Sequence, residues 1–287
     1  MPSETPDVIV AFQGEPGAYS EQAALEYLGE ETATLPCRAF EDVFEAVTEA
    51  HATHGMLPIE NSLAGSIHRN YDLLLRNELY IVGEYFLRVS HCLMALPGVK
   101  LNEIRRVYSH PQALAQCEGS LVRMNLEPVV AADTAGSARA LHDNKDQHAA
   151  ALASRRAAQV YGLEVLQDRM EDNPANYTRF LLLACQPFPV DEPEQKRYKT
   201  SIVFSLKNQP GVLFKALSVF ALRDIDLTKI ESRPIPGKPW EYLFYIDFIG
   251  HADSGSCQRA LDHLGEFATY LRRLGSYPRD TSKFLET

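Results

Sequence analysis

Short apolar runs alternate along the first two thirds of the chain with stretches whose apolar residues recur every three or four positions. Val8-Ile9-Val10-Ala11-Phe12 predicts a buried strand, and residues 20–28 set Ala23, Ala24, Tyr27 and Leu28 on one side of a helix. A helix over 40–50 (Phe40, Val43, Phe44, Val47), a strand over 55–59 and a helix over 67–75 follow. Residues 79–87 and 89–96 read as extended segments, after which the alternation resumes. Strands are predicted at 106–108, 128–131, 149–151 and 179–185, with helices at 111–122, 134–141 and 154–161. Such alternation predicts a mainly parallel sheet covered on both faces. Two sets, changing over near 80–96 and with a late strand near 180, predict two α/β lobes facing a cleft. Lobe 1 would take about 7–85 plus 180–186, and lobe 2 about 90–179.

Residues 187–198 hold three prolines and no periodicity, which predicts a linker. The pattern then restarts over 199–280. A strand at 200–206, a helix at 211–223 and strands at 225–232 and 240–249 lead to a helix over 254–273, with Leu261, Leu264, Phe267, Ala268 and Leu271 on one face. A short final strand near 274–277 would complete a ferredoxin-like α+β domain, whose one-sided sheet invites pairing with a second copy.

The 287 residues suit two domains at roughly 100–200 residues each. Net charge is −10, and residues 1–60 carry 12 acids against the single base Arg38. No basic stripe is visible, which argues against a nucleic-acid partner. No stretch free of Asp, Glu, Lys and Arg exceeds 11 residues, which argues against a membrane span. The acidic start Met1-Pro2-Ser3-Glu4-Thr5-Pro6-Asp7 resembles neither a signal nor a transit peptide, so a cytoplasmic enzyme is expected. Five widely spaced cysteines without a C-x-x-C pair predict buried free thiols. No histidine or cysteine cluster has metal-ligand spacing, so no metal is expected.

Candidate chemistry lies where strands give way to helices, the place where α/β sheets bind ligands. Gly14-Glu15-Pro16-Gly17-Ala18-Tyr19-Ser20 reads equally as an anion loop or as a turn with Ser20 as the helix cap. Glu60-Asn61-Ser62 is too polar a cluster for capping alone. Ser109-His110-Pro111-Gln112 and Asp133-Thr134 are further polar helix starts, open to a capping reading. Together they would hold an anion with more than one carboxylate. Asn176-Tyr177-Thr178-Arg179-Phe180 precedes the late strand, with Arg179 either a carboxylate clamp or a buried structural arginine.

In motif order over about residues 8–279, the chain resembles the prephenate dehydratase family and its plant relatives that act on arogenate. The resemblance is carried by Gly14-x-x-Gly17-Ala18-Tyr19-Ser20-Glu21, by the run from Pro58 through Glu60-Asn61-Ser62 to Asp72, and by Ser109-His110-Pro111-Gln112-Ala113-Leu114. It continues through Asp133-Thr134-Ala135-Gly136-Ser137-Ala138 and, with one change, Asn176-Tyr177-Thr178-Arg179-Phe180. The small region resembles an ACT domain through Gly211-Val212-Leu213-Phe214 and Glu231-Ser232-Arg233-Pro234, where Val212 and Phe214 are bulkier than the usual Gly-Ala-Leu-Val.

The resemblance implies a two-lobed periplasmic-binding-protein-like catalytic domain over 7–186 and a regulatory ACT domain over 199–280. It implies a hydro-lyase of phenylalanine biosynthesis that turns prephenate into phenylpyruvate with no cofactor. Thr178 would be the catalytic hydroxyl, with Glu60 polarising it and Arg179 beside it. Ser20, Asn61, Ser62, Ser109, His110, Gln112, Thr134, Asn176 and Phe180 would bind substrate. Phenylalanine would bind between paired small domains through Asn208, Gly211, Val212, Leu213, Glu231, Ser232 and Arg233, in a homodimer or homotetramer. Two competing readings are arogenate as substrate and a non-catalytic binding protein on the same scaffold.

Overall fold

A computed structural model describes residues 8–190, 197–235 and 237–281. Position 7, where the catalytic region was expected to begin, and positions 191–196 of the predicted linker lie outside the described residues. The chain opens with β1 (Ile9–Gln13), α1 (Tyr19–Leu28), β2 (Ala33–Cys37), α2 (Phe40–Thr48), β3 (His54–Asn61), β4 (Gly65–Ser66), α3 (His68–Arg76) and β5 (Tyr80–Arg88). There follow β6 (Cys92–Ala95), β7 (Arg106–Ser109), α4 (Pro111–Gln116), α5 (Glu118–Arg123), β8 (Glu127–Val130), α6 (Thr134–Asn144), β9 (Ala149–Ala153), α7 (Arg155–Tyr161) and β10 (Glu164–Gln167). Then come β11 (Tyr177–Ala184), β12 (Tyr198–Leu206), α8 (Val212–Ala221), β13 (Leu227–Pro234), β14 (Tyr242–Ile249), α9 (Gly255–Gly265) and β15 (Ala268–Pro278). Two compact units result: residues up to 77 with 85–181, and 78–84 with the residues from 182 on. β5 and β11 each run from one unit into the other.

Two sheets build the two lobes. The first has the order β2-β1-β3-β11-β5, with β4 paired to β3. Here β1 is parallel to both β2 and β3. The second has the order β10-β6-β9-β7-β8. In it β7 is parallel to β8 and β9, but β6 is antiparallel to β9 and β10. The mainly parallel expectation is thus corrected to a mixed sheet. The chain enters the second lobe at β6, so that strand meets its neighbours from the opposite direction. β9 explains the alanine-rich run. Ala149, Ala151 and Ala153 face Ala135, Ala138, Ala157 and Ala158 of α6 and α7, while Ala150 and Leu152 face Ala113 and Leu114 of α4. Both faces are covered, so the strand carries no polar position.

The predicted helix over 111–122 breaks at Cys117, whose φ of −118° leaves the helical region, into α4 and α5. β2 escapes prediction because Pro36 interrupts its pattern; proline is tolerated there because β2 is an edge strand.

The second unit carries an antiparallel sheet of order β13-β14-β12-β15. Ile202, Phe204 and Leu206 of β12 pack on Ala216, Val219 and Phe220 of α8 and on Ala260, Leu261 and Leu264 of α9. Each large apolar side chain so buried stabilises the fold by about 1.5–3 kcal/mol. The helix expected to reach Arg273 ends at Gly265 instead, and β15 then pairs with β12 from Ala268 to Pro278. Phe267, in the turn after α9, and Ala268 and Leu271 of β15 pack on the same core, which is how they continued the helical spacing.

Candidate active site

β3 ends at Asn61, and the chain turns back on the Asn61 side chain. Its Oδ1 accepts from the backbone N–H groups of Leu63 (3.1 Å) and Ala64 (2.9 Å). Two backbone donors settle which way the amide points. Nδ2 therefore faces the start of β11, donating to Asn176 Oδ1 (2.8 Å), the Tyr177 carbonyl (3.1 Å) and Thr178 Oγ1 (3.0 Å). Thr178 Oγ1 accepts in this bond, so its own proton is free to be given elsewhere. Asn61, Asn176 and Thr178 are all buried. Asn176 Nδ2 in turn donates to Gln116 Oε1 at 3.0 Å.

Ser62 sews the same two segments together. Its Oγ accepts from the N–H of Tyr177 and donates to the carbonyl of Ala175, both at 2.9 Å, while its N–H donates to the Tyr177 carbonyl at 2.8 Å. Residues of a strand alternate between faces, so Thr178, Asn176 and Phe180 share the face of Asn61. Glu60 and Arg179 project from the other. Thr178 thus bonds Asn61 and not Glu60, the carboxylate expected to polarise it. Glu60 is half-buried, and Arg179 is buried with its guanidinium 5.9 Å from the centre of the Phe86 ring.

The glycine motif after β1 is a clasp between lobes. A Cβ on Gly17 would lie 2.6 Å from Ala157 Cα of α7, and Gly17 has φ +89°. Ser154 Oγ donates to the Gly17 carbonyl and caps α7. The buried Glu21 carboxylate accepts from Gly17 N–H (2.7 Å), Arg156 Nε (2.8 Å) and Thr34 Oγ1 (3.0 Å). Ser20, expected as the cap of α1, is buried inside the helix instead; Ala18 holds the cap position, with no side-chain bond.

The other predicted binders divide. Ser109 is fully buried with its hydroxyl donated to the Leu152 carbonyl at 2.6 Å. His110 caps α4 by accepting from Gln112 N–H at 3.2 Å, and Gln112 itself is exposed. Thr134 opens α6 half-buried, behind the capping Asp133. In the small unit, Gly211 precedes α8 in the left-handed region, and Asn208 and Gly211 are exposed, with Val212 and Leu213 half-buried. Glu231 and Arg233 share the half-buried face of β13 and Ser232 the exposed one; within one chain β14 separates that strand from β12.

Sequence reasoning missed Tyr19, His91, Gln116 and Glu171. Tyr19 Oη lies 2.8 Å from His91 Nδ1, His91 Nε2 lies 3.0 Å from Gln116 Oε1, and the His91 N–H donates to Glu171 Oε2 at 2.9 Å. His91 and Glu171 lie where the chain crosses between lobes, and lone polar residues there carry no pattern. Burial lowers the His91 pKa and raises that of Tyr19. A cavity of about 360 Å³ runs along α6, lined by Tyr108, Asp133, Ser137 and Arg139, but none of Asn61, Asn176 and Thr178 lines it. Among the described residues no group of three or more His, Cys, Asp or Glu could hold a metal ion. No described helix is long and apolar enough to cross a membrane.

Family models match twice: prephenate dehydratase over residues 10–187 and ACT domain over 200–262. Arogenate dehydratase/prephenate dehydratase 2, chloroplastic, of Arabidopsis thaliana is 51% identical over 284 residues, covering 96% of this chain and 74% of the relative. A prephenate dehydratase from Arthrobacter aurescens, solved in complex with L-Phe, is 33% identical with a TM-score of 0.86, covering 95% of this chain and 90% of the other. The solved GqqA, described as a novel type of quorum quenching acylase, is 39% identical with a TM-score of 0.89, covering 95% and 98%. Those matches and the motif-bearing loops agree, and the chain belongs to the prephenate dehydratase family, with an ACT domain after its catalytic region.

Proposed function

We propose that Thr178 is the proton-donating hydroxyl of a dehydratase acting on prephenate, with Asn61 as the residue that aims it. The chain carries the prephenate or arogenate dehydratase activity of phenylalanine biosynthesis, a hydro-lyase reaction, with a phenylalanine-regulated ACT domain. In the reaction the bond from the ring to its carboxylate breaks and carbon dioxide leaves. The freed electron pair enters the ring, the ring carbon–oxygen bond breaks, and the departing hydroxide takes a proton to become water. Aromatisation drives the step, so the protein has to orient the substrate and help hydroxide go. A positioned donor contributes about 10²–10⁴ in rate.

One observation carries this reading: the Asn61 amide, held by two backbone N–H groups, makes Thr178 Oγ1 an acceptor and leaves its proton for the leaving group. The test is kinetic. Thr178→Ala lowers kcat by at least about 100-fold, and Thr178→Ser retains most of it; a wild-type kcat for the alanine variant would sink the assignment. Ser62, His110, Gln112 and Thr134 are proposed around the substrate rather than at the departing oxygen; Glu60 and Arg179, on the opposite strand face, and Ser109, whose hydroxyl is given to the Leu152 carbonyl, are not.

The acylase description of GqqA raises acyl transfer as a second chemistry. A hydroxyl nucleophile needs a base to take its proton, and the hydrogen bond of the Thr178 hydroxyl is to an amide nitrogen, which favours the dehydratase reading. Between the two dehydratase substrates, which differ by keto against amino, we favour prephenate with arogenate as alternative; kcat/KM for both on one preparation decides. A cytoplasmic location is proposed, although plant relatives are named chloroplastic. Self-association as a dimer or tetramer is proposed from the open sheet of the small unit.

A further inference from the structure

The polarity imposed on Asn61 does not stop at Gln116. Gln116 Oε1 already accepts from Asn176 Nδ2 and lies 3.0 Å from His91 Nε2. A carbonyl oxygen only accepts, so Nε2 must carry a hydrogen. Across the ring, Nδ1 lies 2.8 Å from Tyr19 Oη, which also sits 2.9 Å from the Ser90 carbonyl. With the other tautomer, the Nε2 lone pair would face the Gln116 oxygen. Turning Gln116 and Asn176 over to relieve that would point the Asn176 and Asn61 nitrogens at each other. Asn61 cannot turn in its place, because Leu63 and Ala64 hold its oxygen. The tautomer of a buried histidine is thus dictated by two backbone N–H groups, through Asn61, Asn176 and Gln116.

We propose that His91 is a positioning residue for the dehydration: its Nε2–H holds the Gln116 carbonyl, which keeps Asn176 in place as the acceptor that shares the Asn61 amide nitrogen with Thr178. The proposal rests on the reading of Thr178 given above. His91 is 2% exposed, and burial outweighs the Gln116 bond and the Glu171 charge to hold its pKa below the ordinary value. The ring is therefore neutral at neutral pH, where a single tautomer has meaning. Tyr19 and Glu171 are its titratable contacts, Cys92 and Cys117 act on Tyr19, and Arg88 lies 3.7 Å from the Glu171 carboxylate. The single Tyr19 hydroxyl hydrogen, within reach of both the Ser90 carbonyl (2.9 Å) and Nδ1 (2.8 Å), closes the line. Hydrogen bonds in such a file reinforce one another, so losing the His91 donor loosens Gln116 and Asn176 first.

Two measurements test this. ¹⁵N NMR of histidine-labelled protein, with His91 assigned by the signal lost in His91→Gln, should place the ring proton on Nε2. In kinetics, His91→Met, which removes the donor, should lower kcat by about 10- to 100-fold with KM within about twofold. His91→Gln, whose amide nitrogen reaches the same oxygen, should restore most of kcat. A proton on Nδ1, a wild-type kcat in the methionine variant, or a glutamine variant no better than methionine overturns the proposal. An unaffected Thr178→Ala overturns the Thr178 reading and this proposal with it, whereas a proton on Nδ1 overturns the proposal alone. The NMR result stands even where His91→Met does not fold.

Discussion

Lys199 Nζ lies 2.6 Å and 2.8 Å from the two carboxylate oxygens of Glu84, in a pair whose side chains are 8% and 0% exposed. The N–H of Asp280 gives the same carboxylate a third bond at 3.1 Å. Both partners belong to the second unit, so the first residues of β5 are clamped to β12. Two charges taken out of water together hold only while paired. Lys199→Met takes the cation away from the buried Glu84 carboxylate, and is expected to lower stability by about 3–5 kcal/mol. Adding Glu84→Leu should recover most of that loss. Urea unfolding of the two variants checks it; equal destabilisation in both would show that the charge is not the cause.

Gly17 makes a second prediction. Alanine there meets a backbone atom of α7 and sits at a positive φ, so neither a rotamer change nor a small shift relieves it. Gly17→Ala should destabilise by about 1–3 kcal/mol and lower kcat/KM, because the strain falls on the clasp that joins the lobes. Ala18→Gly, one residue on, is the control in the same loop. A Gly17→Ala protein that melts and turns over like wild type would remove the clasp from the account.

Three histidines predict acid sensitivity. Burial lowers the pKa of His54, His91 and His251. Unfolded, each takes its proton near pH 6.5; folded, only below that. Between those two values the unfolded chain binds more protons, so stability falls as pH drops through about 6.5 and keeps falling until the native pKa is reached. His91→Gln should flatten part of the decline. Denaturant midpoints at about pH 7.5 and pH 5.5 test this, and equal slopes in wild type and variant would show that His91 contributes none of it.

How much of this was legible in the chain differs by residue. The order of the α/β elements follows from apolar periodicity, and β9 was visible as an alanine run before its two covered faces explained it. Thr178 and Asn61 came from motifs, but their hydrogen bond joins positions 117 residues apart, and no local pattern encodes such a pairing. From the sequence, Glu60 was expected to polarise Thr178 and its neighbour Asn61 to bind substrate. Strand alternation separates them, and it acts only once β3 and β11 are neighbours. Phe267, Ala268 and Leu271 satisfied a helical period and a strand facing the same core, so propensity misassigned β15. His91 had no signature at all, because its role arises from burial at the lobe crossover.

The sensor loop makes the last prediction. Gly211 sits at φ +76° at the start of α8, with Phe214 75% exposed on its first turn. Paired small domains with phenylalanine between them would cover that ring. Phenylalanine is therefore expected to raise the melting temperature and lower activity. Binding to the folded state alone adds about 2.7 kcal/mol when the ligand is at 100 times its Kd. Val212→Ala with Phe214→Val should shift the concentration needed while leaving activity without phenylalanine unchanged, since neither side chain belongs to the network around Thr178. Calorimetry to about 10 mM phenylalanine reads both, a range reaching Kd values ten times weaker than the millimolar end of the affinity scale. Heat from the double variant but none from the wild type would mean that the bulkier Val212 and Phe214 have closed the loop to its effector. Heat from neither would remove phenylalanine from the regulation of this chain.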